Sequence, residues 1–114
     1  MEKLEELLSE MKNNNFRGNY KISDKQTTIE WNIQEKICLE IILGGHGGDD
    51  LIIIRFEDPE GKKGEFYDDL NTNTNEELIK YLKEYNDSKI EFQEKNGIFR
   101  KKYILTFNGK QYWN

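Results

Sequence analysis

Cysteine, histidine and proline each occur once in this chain of 114 residues, as Cys38, His46 and Pro59. One cysteine excludes an internal disulfide, a CxxC redox pair and a cysteine-rich zinc site. One histidine leaves a Ser-His-Asp triad only His46 to work with, and no serine stands in a GxSxG context. Long apolar runs are missing too: nothing approaches the roughly 18 residues needed to span a bilayer, so no membrane association is expected. The opening residues, Met1-Glu2-Lys3-Leu4-Glu5-Glu6, lack the basic and apolar regions of a signal peptide, and a cytoplasmic location is the expectation. Repeats, low-complexity tracts and Pro- or Ser-rich linkers are absent, so residues 1–114 read as a single domain.

What the chain does contain is charge. Charged residues make up 34% and hydrophobic residues 35%, which implies a thin core under a heavily solvated surface. The 6 Phe, 6 Tyr and 2 Trp argue against disorder. The net charge of −5 is unevenly spread. Residues 49–77 hold ten acids against three bases, a net of −7, whereas residues 89–114 hold six bases against two acids, a net of +4. The acidic middle repels nucleic acid and attracts basic protein surfaces.

Leu4, Leu7, Leu8 and Met11 fall at helical spacing, and Asn13-Asn14-Asn15 ends that helix. A short strand is expected at Tyr20 to Ile22. Ile29, Trp31 and Ile33 alternate with polar residues, a half-buried strand. Ile37 to Leu43 and Leu51 to Phe56 are apolar on both parities apart from Glu40 and Arg55, and read as central strands covered on both faces. Asp58-Pro59-Glu60-Gly61 has the pattern of a type I turn leading to a strand at Gly64 to Tyr67. Thr74-Asn75-Glu76-Glu77 is a capping box for a second amphipathic helix near residues 75–86, built on Leu78, Leu82 and Tyr85. Asn96-Gly97 predicts a type I′ hairpin in which Ile90 meets Tyr103, Phe92 meets Lys101 and Glu91 meets Lys102. Asn108-Gly109 is a second turn candidate, after which Tyr112-Trp113 returns as a short edge or packs over the end of the sheet. The expected class is α+β: a mostly antiparallel meander of about five to seven strands, an N-terminal helix and a second helix.

The one place where catalytic residue types gather is Gly44-Gly45-His46-Gly47-Gly48-Asp49-Asp50. As a phosphate cradle it lacks the spacing, the lysine and the helix N-terminus, and its aspartates repel anions. As a metal site it lacks a second His or Cys, and Asp49 and Asp50, being adjacent, need not converge. A calcium loop needs a spaced acidic pattern that is absent. The preferred reading is a polar turn or contact loop whose glycines supply positive φ, with ligand or metal contact and catalysis as the alternatives. Asp68-Asp69 and Glu76-Glu77 read as a solvated acidic face in preference to a glycosidase-type acid pair. Cys38, in an apolar run, reads as a buried inert thiol in preference to a nucleophile. Phe99-Arg100-Lys101-Lys102-Tyr103 is too short a basic patch to imply direct nucleic-acid binding. No cofactor and no metal are expected.

Size, acidity, a Lys/Asn/Ile/Glu-rich composition, the want of catalytic residues and the α+β meander together resemble small bacterial toxin-immunity proteins of the polymorphic-toxin or contact-dependent-inhibition type. The resemblance is loose, covers the whole chain and rests on no diagnostic motif. It implies a non-enzymatic inhibitor that covers the basic active-site surface of a cognate toxin domain, a nuclease being one such partner. Phage-encoded anti-CRISPR proteins and other nucleic-acid mimics look similar at this resolution, and a small ligand- or metal-binding enzyme using the His46 loop is a further alternative. For the inhibitor reading, the residues expected to meet a basic protein partner are His46, Asp49, Asp50, Asp58, Glu60, Glu65, Tyr67, Asp68 and Asp69. The sequence carries no expectation for the oligomeric state.

Overall fold

Helix α1 (Glu2–Asn13) forms because Leu4, Leu7 and Met11 repeat along one face, and all three are buried. Asn15 closes it: its φ of 54° is left-handed, and the N–H groups of Asn15 and Phe16 donate to Lys12 O and Met11 O, each at 3.1 Å, in a Schellman closure. A computed structural model describes residues 2–44, 48–70, 72, 74–96 and 101–113 of the chain. After α1 come β1 (Asn19–Ile22), β2 (Thr28–Gln34), β3 (Ile37–Ile42), β4 (Asp50–Glu57) and β5 (Lys63–Leu70). Helix α2 (Asn75–Asp87), β6 (Ile90–Asn96), β7 (Lys101–Phe107) and β8 (Lys110–Trp113) complete the order.

The first five strands form one antiparallel sheet in the order β1-β2-β3-β4-β5, and the last three form a second, β6-β7-β8. The α+β class and the antiparallel meander follow the sequence pattern. The meander is in addition divided into two sheets, and residues 110–113 pair with β7 as an edge strand instead of lying over the sheet end.

Alternation sets the two faces of the larger sheet. Ile29, Ile41 and Ile52 stand side by side across β2, β3 and β4, as do Trp31, Leu39 and Ile54, and all six are buried. This inner face meets Leu4, Leu7 and Met11 of α1, Leu78, Leu82 and Tyr85 of α2, and Leu105, Phe107 and Tyr112 of the smaller sheet in one core. Aromatic contacts join the sheets: Phe56 with Phe92 at 5.9 Å and Phe66 with Tyr112 at 4.9 Å between ring centroids. The loop after α1 is stapled to the end of α2, where the Arg17 N–H donates to Asn86 Oδ1 at 2.7 Å and Arg17 Nη2 donates to Ser88 O at 3.0 Å.

Three local turns take the chemistry their residues demand. Thr74 caps α2, its Oγ1 accepting from the Glu77 N–H at 3.2 Å. Gly61, at φ 86°, donates its N–H to Asp58 O at 2.8 Å. Asn108 and Gly109 are both left-handed, at φ 52° and 72°, as a type I′ connection between β7 and β8 requires.

Two expectations need correction. The β6–β7 ladder pairs Ile90 with Phe107, Phe92 with Leu105, Glu91 with Thr106 and Lys95 with Lys102, so Asn96 lies opposite Lys101. The connection is therefore residues 97–100 and not a two-residue Asn96-Gly97 loop; residues 97–100 lie outside the described residues. The physical reason is core packing. The observed register sets Phe92 beside buried Leu105, whereas the tight turn would spend that place on Lys101. The second correction concerns β3 and β4, which are buried on one face only. Cys38, Glu40 and Ile42 are half-buried and Arg55 is exposed. Ile53, at 7% exposure, lies between its cross-strand neighbours Glu40 and Tyr67 and stands outside the core cluster, so its own sheet shields it.

Candidate functional site

That outward face is the candidate site. Strand β5 contributes Glu65, Tyr67 and Asp69, which alternate with the inward residues Phe66, Asp68 and Leu70. Strand β4 contributes Leu51, Ile53 and Arg55, and the rows continue to Cys38, Glu40 and Ile42 on β3 and to Thr28, Glu30 and Asn32 on β2. The two charges that interrupt the apolar runs, Glu40 and Arg55, are partners: Arg55 Nη1 lies 3.1 Å from Glu40 Oε1, and its Nε lies 3.7 Å from Glu65 Oε2. Lys21 Nζ lies 3.9 Å from Glu30 Oε2. The basic groups Lys21 and Arg55 are thus paired within the face; Lys63 at the start of β5 lies on it as well, and the carboxylates of Glu30, Glu40, Glu65 and Asp69 outnumber these three. Tyr67 stands out of it at 65% exposure, with its hydroxyl donating to Glu65 Oε1 at 2.7 Å. That bond, more than any other influence, pushes the Tyr67 phenol up, so it stays a neutral donor.

Nine residues were expected to meet a partner, and they fall into distinct settings. Glu65, Tyr67 and Asp69 share the outer face, and Asp49 and Glu60 are exposed in the loops at either end of β4. Asp58 is buried at 4% exposure, its Oδ1 accepting from the N–H groups of Glu60 and Lys62, each at 2.9 Å, which makes it the keystone of the β4–β5 turn. Asp50 bridges the base of the glycine loop: Oδ1 accepts from the Gly44 N–H at 3.0 Å and Oδ2 from Thr72 Oγ1 at 2.6 Å. Asp68 points inward, accepting from the Tyr85 hydroxyl and from Lys110 Nζ at 3.0 and 3.1 Å. His46 lies outside the described residues; flanking it, Gly44 and Gly48 have φ of 60° and 86°.

Summing charge over residues 49–77 conceals this sorting. The signal that separates Asp68 from Asp69 is parity: Phe66 and Leu70 sit two residues either side of Asp68 and carry it to the core face. Likewise, Glu40 and Arg55 are the residues by which β3 and β4 reveal a wet side.

At one end of the outer face is an open cleft of about 470 Å³, with Cys38, Arg55, Phe56, Glu57, Lys63 and Glu65 among its walls. Burial pushes the Cys38 thiol up, and the carboxylates of Glu30 and Glu40 add to this against the opposing Arg55, so the sulfur is held as a thiol and not as the nucleophilic thiolate. Among the described residues no three His, Cys, Asp or Glu side chains gather to hold a metal ion. No helix among them is long and apolar enough to cross a membrane.

Fold and face together define a small α+β protein whose larger sheet, among the described residues, leaves its outer face uncovered. No protein-family model matches the chain, and no curated protein and no solved structure is significantly similar to it.

Proposed function

We propose that this chain is a small acidic protein-binding inhibitor, an immunity protein that neutralises a cognate toxin, such as a nuclease, by covering its basic active-site surface. The observation that supports this reading is the uncovered outer face of the five-stranded sheet. Glu65 and Asp69 flank the exposed ring of Tyr67, with Glu30 and Glu40 on the neighbouring strands and Asp49 exposed at the loop end. Carboxylates on a rigid sheet steer a Lys/Arg-rich surface into contact, and a projecting tyrosine gives a large anchor at small entropic cost. Asp50, Asp58 and Asp68 serve this surface indirectly, by holding the loop, turn and strand that present it.

The test is capture of binding partners from the source cell by the immobilised chain, beside a variant carrying Asp49→Lys, Glu60→Lys and Asp69→Lys. All three positions are exposed, so the reversal leaves the interior intact. The reading expects a basic protein that is captured by the native chain, lost from the variant and released by salt, and whose toxicity on expression is relieved by co-expressing this chain. Capture that survives the reversal at low salt, or a captured partner whose activity the chain leaves untouched, overturns it.

A further inference from the structure

Strand β5 ends the larger sheet, so among the described residues one side of its eight-residue backbone has no strand beside it. Half the peptide groups of such an edge point away from the sheet and are available to another chain. Among the described residues, no backbone hydrogen bond ties Lys63–Leu70 to anything but β4. The opposite edge differs: β1 has only four residues, and the Tyr20 hydroxyl on it is tied back to Met11 O of α1 at 3.4 Å.

Charges on an edge strand ordinarily guard it against pairing. On β5 they do so in two of the three registers centred nearest the middle of the strand, those about Glu65 and Tyr67, but not in the one about Phe66. When a strand pairs antiparallel with its own copy about a two-fold axis normal to the sheet, only registers that oppose residues of equal parity keep inner face with inner face. Centring the axis on Phe66 sets Lys63 opposite Asp69 of the second copy and Glu65 opposite its Tyr67, each twice by symmetry. On the inner side Phe66 meets Phe66, and the inward Asp68 meets Gly64, whose missing side chain leaves the carboxylate room. Centring one step either way fails: about Tyr67, Glu65 opposes Asp69 twice, and about Glu65 the two Glu65 carboxylates oppose each other. Among the described residues Lys63 and Asp69 have no ion pair within the chain, so both are available for this contact.

We propose that β5 pairs with β5 of a second copy in the Phe66-centred register, joining two five-stranded sheets into one ten-stranded sheet. The pairing is isologous and closed, so it stops at two chains. Both outer faces lie on the same side, and the acidic surfaces of the two copies become continuous. The pairing stands or falls independently of what that surface binds.

Sedimentation velocity of the full chain over a range of concentrations tests it, with Lys63→Glu, Asp69→Lys and the double variant Lys63→Glu/Asp69→Lys. Lys63 and Asp69 are exposed, so each variant keeps the native circular dichroism, and the native thermal midpoint at concentrations low enough for every chain to be monomeric. The native chain is expected to dimerise reversibly. Each single reversal turns two symmetry-related attractions into repulsions and weakens the dimer by at least about tenfold. The double variant, which exchanges the charges, returns most of the loss. A chain that stays monomeric at all concentrations overturns the proposal. So does a dimer indifferent to the single reversals, or one that the double variant fails to restore.

Discussion

The Tyr85 hydroxyl of α2 donates to the carboxylate of Asp68 on the inward side of β5, and Lys110 of β8 reaches the same carboxylate at 3.0 Å. One acid therefore ties a helix and the smaller sheet to the edge of the larger sheet. Its neighbour Asp69 points the other way, into solvent.

That contrast yields a paired prediction. Asp68→Ala leaves the Tyr85 hydroxyl buried without its acceptor and Lys110 without its counter-charge, and is expected to cost about 2–3 kcal/mol. Asp69→Ala, one residue on and exposed, is expected to stay within about 0.5 kcal/mol of the native chain. Equilibrium urea unfolding of the two variants checks this. Equal losses would place the carboxylate's value in strand propensity instead of in the contact with Tyr85.

The same cluster sets a limit at alkaline pH. Burial first, and then the hydrogen bond to Asp68, push the Tyr85 phenol far up; burial and the charge of Asp68 push Tyr112 up to about 12. A raised value means that the folded chain keeps its phenolic proton longer than the unfolded chain does, so the unfolded chain gains by ionising first. Stability is complete below the ordinary tyrosine value of 10.0 and declines as pH rises through it, Tyr112's share being exhausted near 12 and Tyr85's extending beyond. Each tyrosine contributes a slope of about 1.4 kcal/mol per pH unit over its window. Unfolding free energies measured above the ordinary tyrosine value should fall less steeply in Tyr112→Phe than in the native chain. An unchanged slope would remove Tyr112 from the account.

Elements whose cause is local were legible from sequence: the Leu4–Met11 face of α1, the Thr74 cap, the Asp58-Gly61 turn and the Asn108-Gly109 turn each depend on residues within a few positions of one another. The β6–β7 register was not, because it is decided by Leu105 and Phe107 packing into a core built from residues far away in sequence. The site was half legible. Alternation along Gly64–Leu70 assigns each acid to a face, but the burial of Asp58 follows from its place in the turn, where its carboxylate accepts two backbone N–H groups. Nothing in the sequence marks Glu40 and Arg55 as partners until the antiparallel register of β3 and β4 sets them diagonally.

Gly18 is the position where the backbone itself is most constrained. Its φ is +77°, and a Cβ there would stand 2.2 Å from Asn32 O and 2.9 Å from the Ile33 backbone. Both atoms belong to β2 and cannot swing aside as a side-chain tip would. Gly18→Ala is expected to cost about 3 kcal/mol or more, combining the left-handed penalty with overpacking. Gly48→Ala shares a positive φ of +86° but has open space around it, so only the conformational penalty of about 1–2 kcal/mol remains. Thermal and urea unfolding of the two variants separate steric from conformational cost, and comparable losses would deny the close approach to β2.

Tyr67 offers the sharpest separation between folding and binding. Its ring is exposed, and its hydroxyl bonds to Glu65 at the surface, so Tyr67→Ala is expected to reduce stability by less than about 1 kcal/mol through the lost cross-strand contact with Ile53. A tyrosine anchor truncated to alanine at the centre of an interface weakens binding by about 2 kcal/mol or more, roughly thirtyfold. On the proposed inhibitor reading, titration calorimetry with the basic protein that reading expects to be captured should therefore show a large affinity loss in a variant that unfolds almost as the native chain does. Tyr67→Phe, which keeps the ring and loses the hydroxyl, should recover most of that affinity if burial of the ring is the source. An affinity that ignores Tyr67→Ala moves the contact surface off the outer face of β5.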